Sequence, residues 1–347
     1  DDGTPKDKDE NGNAAGGDTG KLLAGGYNSG AGIGGGSYHD GKNYANTSNI
    51  TITGGDITAS GGTHGAGIGG GDGGTGKNIR IEGDAHVTAF AYDSAAIGSG
   101  YESSGNSDIT ITGNATVEAA SVVGSGIGQG INASGKATIT ISGNASVNAE
   151  TFNDHAAIGS GPSSATVNIE DHADVTAVST GIAIGTGYGH KGTSTVINIT
   201  GGTVNAVTTR GNESNPAIGT VKGNLDLTIN SSTGKTTVNT YTTGSDPLLN
   251  IGTRHYDDSA NKYRTSPSEG AEYNEDGSSN LGEDNAAIIN SYCNTPLGTD
   301  TYDAPKTLDE YAFHATYEAY GDLYNAKHTL SDKDKGDLTK VVHNRKY

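Results

Sequence analysis

An Ile-Gly pair preceded by a small or polar residue occurs eight times in this chain, centred on Ile33, Ile68, Ile97, Ile127, Ile158, Ile184, Ile218 and Ile251. Gly or Ala stands before the isoleucine in the first seven copies and Asn250 in the last. The intervals are 35, 29, 30, 31, 26, 34 and 33 residues. A period near 30 that drifts by a few residues is the mark of a solenoid whose insertions fall in turns. Helical repeats would need sustained helix formers, and Gly, Thr and Asn dominate here instead.

Between successive copies lie two further strand-like pieces. One alternates aliphatic and polar residues, as in Ile50-Thr51-Ile52-Thr53, Ile79-Arg80-Ile81-Glu82, Ile109-Thr110-Ile111-Thr112 and Ile139-Thr140-Ile141-Ser142. A period of two turns the isoleucines inward and the polar residues outward. The other follows a turn such as Gly54-Gly55 or Gly113-Asn114 and reads Ile57-Thr58-Ala59, Val87-Thr88-Ala89, Val117-Glu118-Ala119 or Val147-Asn148-Ala149. Three short strands per coil of about 30 residues predict an all-β chain, a right-handed single-stranded parallel β-helix. Glycine, with asparagines such as Asn114 and Asn144 as next best, is expected at corners that need φ > 0. Small residues beside each central isoleucine let the backbone approach its neighbours, which explains "GAGIGGG" without a phosphate; a phosphate-cradling loop stands once, before a helix, and no helix follows here.

Composition narrows the function classes. The 57 glycines among 347 residues are more than twice the usual share of ~7%. Only 31% of residues are hydrophobic, but they are ordered in β-branched clusters rather than scattered as in a disordered chain. Forty acidic residues against 21 basic ones give a net charge of −19, which repels nucleic acid and anionic membrane. No apolar run is long enough to insert in a bilayer. Cys293 is the sole cysteine and makes no internal disulfide. The absence of methionine, even at residue 1, is expected of a chain that starts after a cleavage or is excised from something larger.

The stretch "ITITGGDITASGGTHGAGIGGG", Ile50 to Gly71, resembles the GAGIGGG-type repeats of large surface proteins of Gram-positive anaerobes, many of them gut commensals, within the right-handed β-helices of the pectate-lyase-like superfamily. The resemblance covers about residues 21–253. Relatives of this shape include polysaccharide lyases, glycoside hydrolases, calcium-dependent carbohydrate binders and adhesin stalks. What the resemblance implies is a bacterial protein, secreted or attached to the cell wall.

Four regions follow. Residues 1–20 read as an acidic, Gly-rich linker or cap, 21–253 as the solenoid of about eight coils, 254–306 as an irregular acidic loop, and 307–347 as a small C-terminal cap, irregular or α+β. In that last segment Thr307 and Glu310 make a capping box, and Leu308, Ala312, Ala315, Ala319 and Leu323 share a helical face. Tyr311, Phe313, Ala315 and Tyr317 alternate as a strand would, and helix is the reading preferred.

Three constellations carry candidate chemistry. "DKDENGNAAGGD" has the spacing of a calcium loop, with Asp7, Asp9 and Asn11 at the first ligand positions, Gly12 at the sharp turn and Asp18 at the twelfth place. Asp replaces the usual bidentate Glu there. Aligning the turns on the central isoleucines places Ser29, His64, Asp93, Val123, Asp154 and Thr180 four residues before it, and Ser37, Asp72, Tyr101, Ile131, Pro162 and Tyr188 four after it. Coils ~4.8 Å apart set Asp93 and Asp154 about 10 Å from each other, near the upper limit for the two carboxylates of an inverting glycosidase. Tyr92, Tyr101, His155, Tyr188 and His190 are the residues that would stack on or hydrogen-bond a sugar, since Trp is absent and Phe occurs three times. Lyase chemistry needs a positioned base, and Arg80, Lys136, Lys191, Arg210 and Lys222 are scattered. The Thr51/Thr53, Thr110/Thr112 and Thr140/Ser142 columns resemble a flat ice-binding array, but Arg80, Glu82, Asn168 and Glu170 interrupt it, and Thr is a good strand former on any solvated face.

The sequence therefore points to a non-catalytic module that binds a polysaccharide or host glycan, or serves as an adhesin segment, with calcium as its candidate cofactor. The alternatives are a β-helix hydrolase or lyase using Asp93 and Asp154, and a structural spacer of a surface fibre.

Overall fold

The computed structural model describes residues 20–36, 46–187, 193–208, 215–221, 223–242, 251–257, 262–266 and 288–293. Every regular element among them is a β-strand. The strands repeat in threes and stack into three sheets, so the chain is the right-handed parallel β-helix that the repeats predict.

The first sheet stacks Lys21–Gly25, Asp56–Ser60, His86–Ala91, Thr116–Ser121, Ser146–Thr151, Asp174–Ser179, Gly202–Thr208, Thr236–Thr242 and Ile288–Cys293. Its last strand falls within the stretch 254–306, where Lys262–Ser266 also pairs antiparallel with Ile251–Asp257. The second sheet is built on the Ile-Gly pairs, which form two- or three-residue strands until the last. The third carries the Ile-x-Ile pieces from Thr47–Ile52 to Asn224–Ile229.

Register follows the sequence alignment residue by residue. Ile33, Ile68, Ile97, Ile127, Ile158, Ile184, Ile218 and Ile251 form one unbroken column down the second sheet. In the third sheet Ile79, Ile109, Ile139, Val167, Ile197 and Leu227 form another. Val87, Val117, Val147, Val175 and Val204 do the same in the first. These columns and the alanines beside them make one continuous core. Each such aliphatic side chain gains roughly 1.5–3 kcal/mol by leaving water.

Two devices hold the turns. The hydroxyls of Ser121, Thr151, Ser179 and Thr208 donate to the carbonyls of Ser94, Gly124, His155 and Gly181, one coil earlier in the chain, at 2.5–2.8 Å. These carbonyls belong to the residue three before each central isoleucine, so the turn that precedes the second sheet is anchored in every middle coil. On the other side, the corner after the third sheet uses Gly113 and Gly143 at φ 74° and 69°. The expectation that Asn114 and Asn144 take left-handed backbone is corrected: neither has positive φ. Their amides form a ladder instead, with Asn144 Nδ2 donating to Asn114 Oδ1 at 3.1 Å and Asn114 Nδ2 to Asp84 Oδ1 at 2.9 Å. The glycine before each asparagine already makes the corner, leaving its side chain to pair between coils.

Candidate functional site at the turns flanking the second sheet

A second-sheet strand of two residues is so short that the turns entering and leaving it lie side by side. Backbone bonds tie them together: Tyr101 N donates to His64 O at 3.2 Å, Gly73 N to Tyr101 O at 2.7 Å and Ile131 N to Asp93 O at 2.9 Å. Residues four before and four after the central isoleucine, in neighbouring coils, therefore share one patch.

That patch collects His64, Asp72, Asp93, Tyr101, Glu102 and Asn132. His64 Nδ1 stands 2.7 Å from Asp93 Oδ2. The His64 ring lies against Tyr101, centroids 4.7 Å apart and planes tilted by 39°. Asn132 Nδ2 donates to Tyr101 Oη at 3.4 Å. Asp93 is 9% exposed, whereas His64, Asp72 and Tyr101 are half-buried and Glu102 and Asn132 open to solvent.

The electrostatics are those of an acidic, partly dry corner. Contact with Asp93 holds the His64 imidazolium and raises its pKa above the ordinary 6.5, against the pull of burial. Burial raises Asp93 above the ordinary carboxylate value, outweighing the opposite pull of His64, and burial raises Asp72 as well. Tyr101 is raised because its hydroxyl bonds to the Glu102 carboxylate. The result is an aromatic plate with its imidazole neighbour pinned from behind and four hydrogen-bonding side chains around the rim.

Among the residues expected from sequence, Tyr101 and Asp93 are in this patch. Tyr92 adjoins it, half-buried, its carbonyl accepting from Val123 N at 2.8 Å. Asp154 lies two coils further on, beyond the turn that carries Val123, and its backbone packs under Gly181 and Gly187. Asp93 pairs with His64 and stands near enough to Asp72 for the two carboxylates to repel each other. Tyr188, His190 and the calcium-loop residues Asp7, Asp9, Asn11 and Asp18 lie outside the described residues. Among the described residues, no three His, Cys, Asp or Glu side chains converge as metal ligands.

His155 requires a correction of place. It is 2% exposed, so its ring is not on a face that a sugar could touch. It occupies the position three before the central isoleucine, filled by Gly65, Ser94, Gly124 and Gly181 in neighbouring coils, and its ring packs where Gly161 has no side chain. Burial pushes its pKa down to about 4. The folded protein therefore keeps His155 neutral while the unfolded chain takes up a proton below pH 6.5. Stability present above pH 6.5 is lost progressively down to about 4, by roughly 3 kcal/mol. Urea titrations of the wild type and His155→Ser at pH 7 and pH 4.5 test this, serine being the residue that Ser94 places in the same column. The gap between the two proteins should shift by 2 kcal/mol or so across that range, and parallel pH profiles would refute it.

His64, Asp72, Glu102 and Asn132 were not singled out by sequence reasoning. The available signal was adjacency: His64 with Asp93, and Asp72 with Tyr101, occupy successive rows of the turn alignment.

A family model described as a beta helix repeat matches residues 50–72. The matched segment starts in the third sheet at Ile50, passes through Asp56–Ser60 and Ile68–Gly69, and ends at Asp72, so it covers one circuit of the solenoid and includes His64. No curated protein and no solved structure matches the chain significantly.

Proposed function

We propose that this β-helix is a non-catalytic carbohydrate-binding module of a bacterial surface protein, an adhesin segment acting outside the cell, and that the His64–Tyr101 patch meets the glycan. The observation that supports this reading is the tilted His64–Tyr101 pair at 4.7 Å, framed by Asp72, Asp93, Glu102 and Asn132. A sugar ring presents an apolar C–H face and a rim of hydroxyls. The Tyr101 ring suits the first, and carboxylates and an amide, as acceptors and donors at fixed positions, suit the second. Pinning by Asp93 lowers the entropy that His64 and its aromatic neighbour would lose on binding. Residues Asp7, Asp9, Asn11 and Asp18 would bring calcium into the same function through their oxygen ligands.

The test is retention of the full chain on plant and mucin polysaccharides, with and without a chelator, while free oligosaccharide is assayed. Retention without release is expected, with Tyr101→Ala weakening it at least ~10-fold, the effect of losing one aromatic stacking partner. Retention unchanged in Tyr101→Ala would remove the patch from the proposal. One observation favours a second reading, hydrolysis: Asp72 and Asp93 are both raised by burial at one patch, as a general acid must be. Release of oligosaccharide that disappears in Asp93→Asn would establish that reading in place of the first.

A further inference from the structure

We propose that the His64–Tyr101 patch takes uncharged glycan and turns away glycan that carries carboxylate, an inference that rests on the carbohydrate-binding reading and names the substrate class within it. The aromatic pair can meet the C–H face of many sugar rings, so discrimination falls to the rim. A neutral sugar offers that rim hydroxyls, each of which can donate a hydrogen bond. A uronic or sialic acid adds a carboxylate, which only accepts. Which of the two fits depends on whether the rim has acceptors or donors to spare.

Most of the donors are already engaged. His64 Nδ1 stands 2.7 Å from Asp93 Oδ2, the Tyr101 hydroxyl bonds to the Glu102 carboxylate, and Asn132 Nδ2 donates to Tyr101 Oη at 3.4 Å. Backbone amides are engaged as well: Asp72 N donates to Ser29 O, Gly73 N to Tyr101 O, Tyr101 N to His64 O and Glu102 N to Ile131 O, at 2.7–3.2 Å. From these side chains, the second ring nitrogen of His64 and the second amide hydrogen of Asn132 are what is left to donate. Acceptors are in surplus, because Asp72, Asp93 and Glu102 bring two carboxylate oxygens each, and Glu102 is open to solvent. Among the described residues, the charges that act most strongly on His64 and Asp72 are each other's and those of Asp93 and Glu102; no Lys or Arg is among them. The one cation of the corner, the His64 imidazolium, is already held by Asp93. An anionic sugar would meet like charge with no guanidinium or ammonium to receive it, whereas the hydroxyls of a neutral sugar meet carboxylates, the stronger kind of acceptor.

The test measures affinity of the full chain for two matched pairs: methyl-esterified against de-esterified pectin, and mucin after against before sialidase. At about 0.15 M salt the screening length is about 8 Å, so distant charges of the chain contribute little and the rim decides. The less charged member of a pair should bind at least ~10-fold more tightly. Glu102→Gln removes one rim charge while keeping the shape of the side chain, and should narrow that gap at least ~3-fold. Asp226→Asn makes the same change of net charge at an exposed position in Asn224–Ile229, the far end of the third sheet, and should leave the gap as it is. No binding to either pair would defeat the glycan reading, and this inference with it. Equal binding of both members, or preference for the charged one, would overturn the selectivity and leave the glycan reading standing. A gap that ignores Glu102→Gln, or that Asp226→Asn narrows equally, would place its cause outside the patch and overturn the proposal.

Discussion

Gly128→Ala is expected to destabilise the solenoid by about 4 kcal/mol, near the top of the range for a single substitution. Gly128 has φ +139°, backbone that an L side chain rarely adopts, and its absent Cβ would press into the carbonyl of Gly159 in the next coil. That carbonyl accepts the Gln129 amide at 3.2 Å, so it cannot swing away without breaking the rung that follows. Strained backbone and steric overlap then add, at a place where neither neighbour is a flexible side chain. Gly54→Ala is the matched control: Gly54 has open space around its Cβ position and no positive φ, and its substitution should change stability by less than ~0.5 kcal/mol. Urea unfolding followed by far-ultraviolet circular dichroism compares the two. Because each coil touches only its neighbours, Gly128→Ala is also expected to split the transition in two, with the coils on either side unfolding separately. Equal costs for Gly128→Ala and Gly54→Ala would mean that the Ile-Gly pair is not fixed by backbone geometry.

The same geometry explains why the fold is legible in this sequence and the site much less so. Ile33 to Ile251 could be aligned by eye because the close approach at each following glycine permits no other residue, and the register in the structure repeats that alignment. The Ile-x-Ile pieces are legible for a different reason, the period of two imposed by one buried face. Turn residues carry neither constraint. His64 and Asp93 sit at equivalent positions of adjacent coils, so their 2.7 Å contact follows from the alignment once the flanking turns are known to be adjacent. Charge chemistry drew attention to the carboxylate pair Asp93 and Asp154 instead, two coils apart with Val123 between them. His155 shows the converse. Its column reads Gly65, Ser94, Gly124 and Gly181, a row of small residues that signals a closed slot, and burial could have been inferred from its neighbours in the stack though not from the residue itself. The amide ladder of Asn114 and Asn144 was hidden because asparagine serves both turns and ladders, and only the φ of the preceding glycine distinguishes them.

Ile127→Ala should cost about 4 kcal/mol, and Ile33→Ala, at the same position of the repeat, about 1. Both side chains stand in one column, Ile127 between Ile97 and Ile158, and Ile33, among the described residues, beside Ile68 alone. Ile127 is fully buried, and the glycines on either side of it already bring backbone to backbone, so the wall around the lost atoms cannot collapse. A cavity that cannot relax gives the upper part of the known range for such truncations. Ile33 loses contacts on one side and was partly exposed before the change, which leaves little transfer free energy to forfeit. Chemical denaturation of each variant beside the wild type measures the two costs. If the two substitutions cost the same, the first coil is as well covered as the fourth, and the difference in burial between Ile33 and Ile127 would not be what sets their cost.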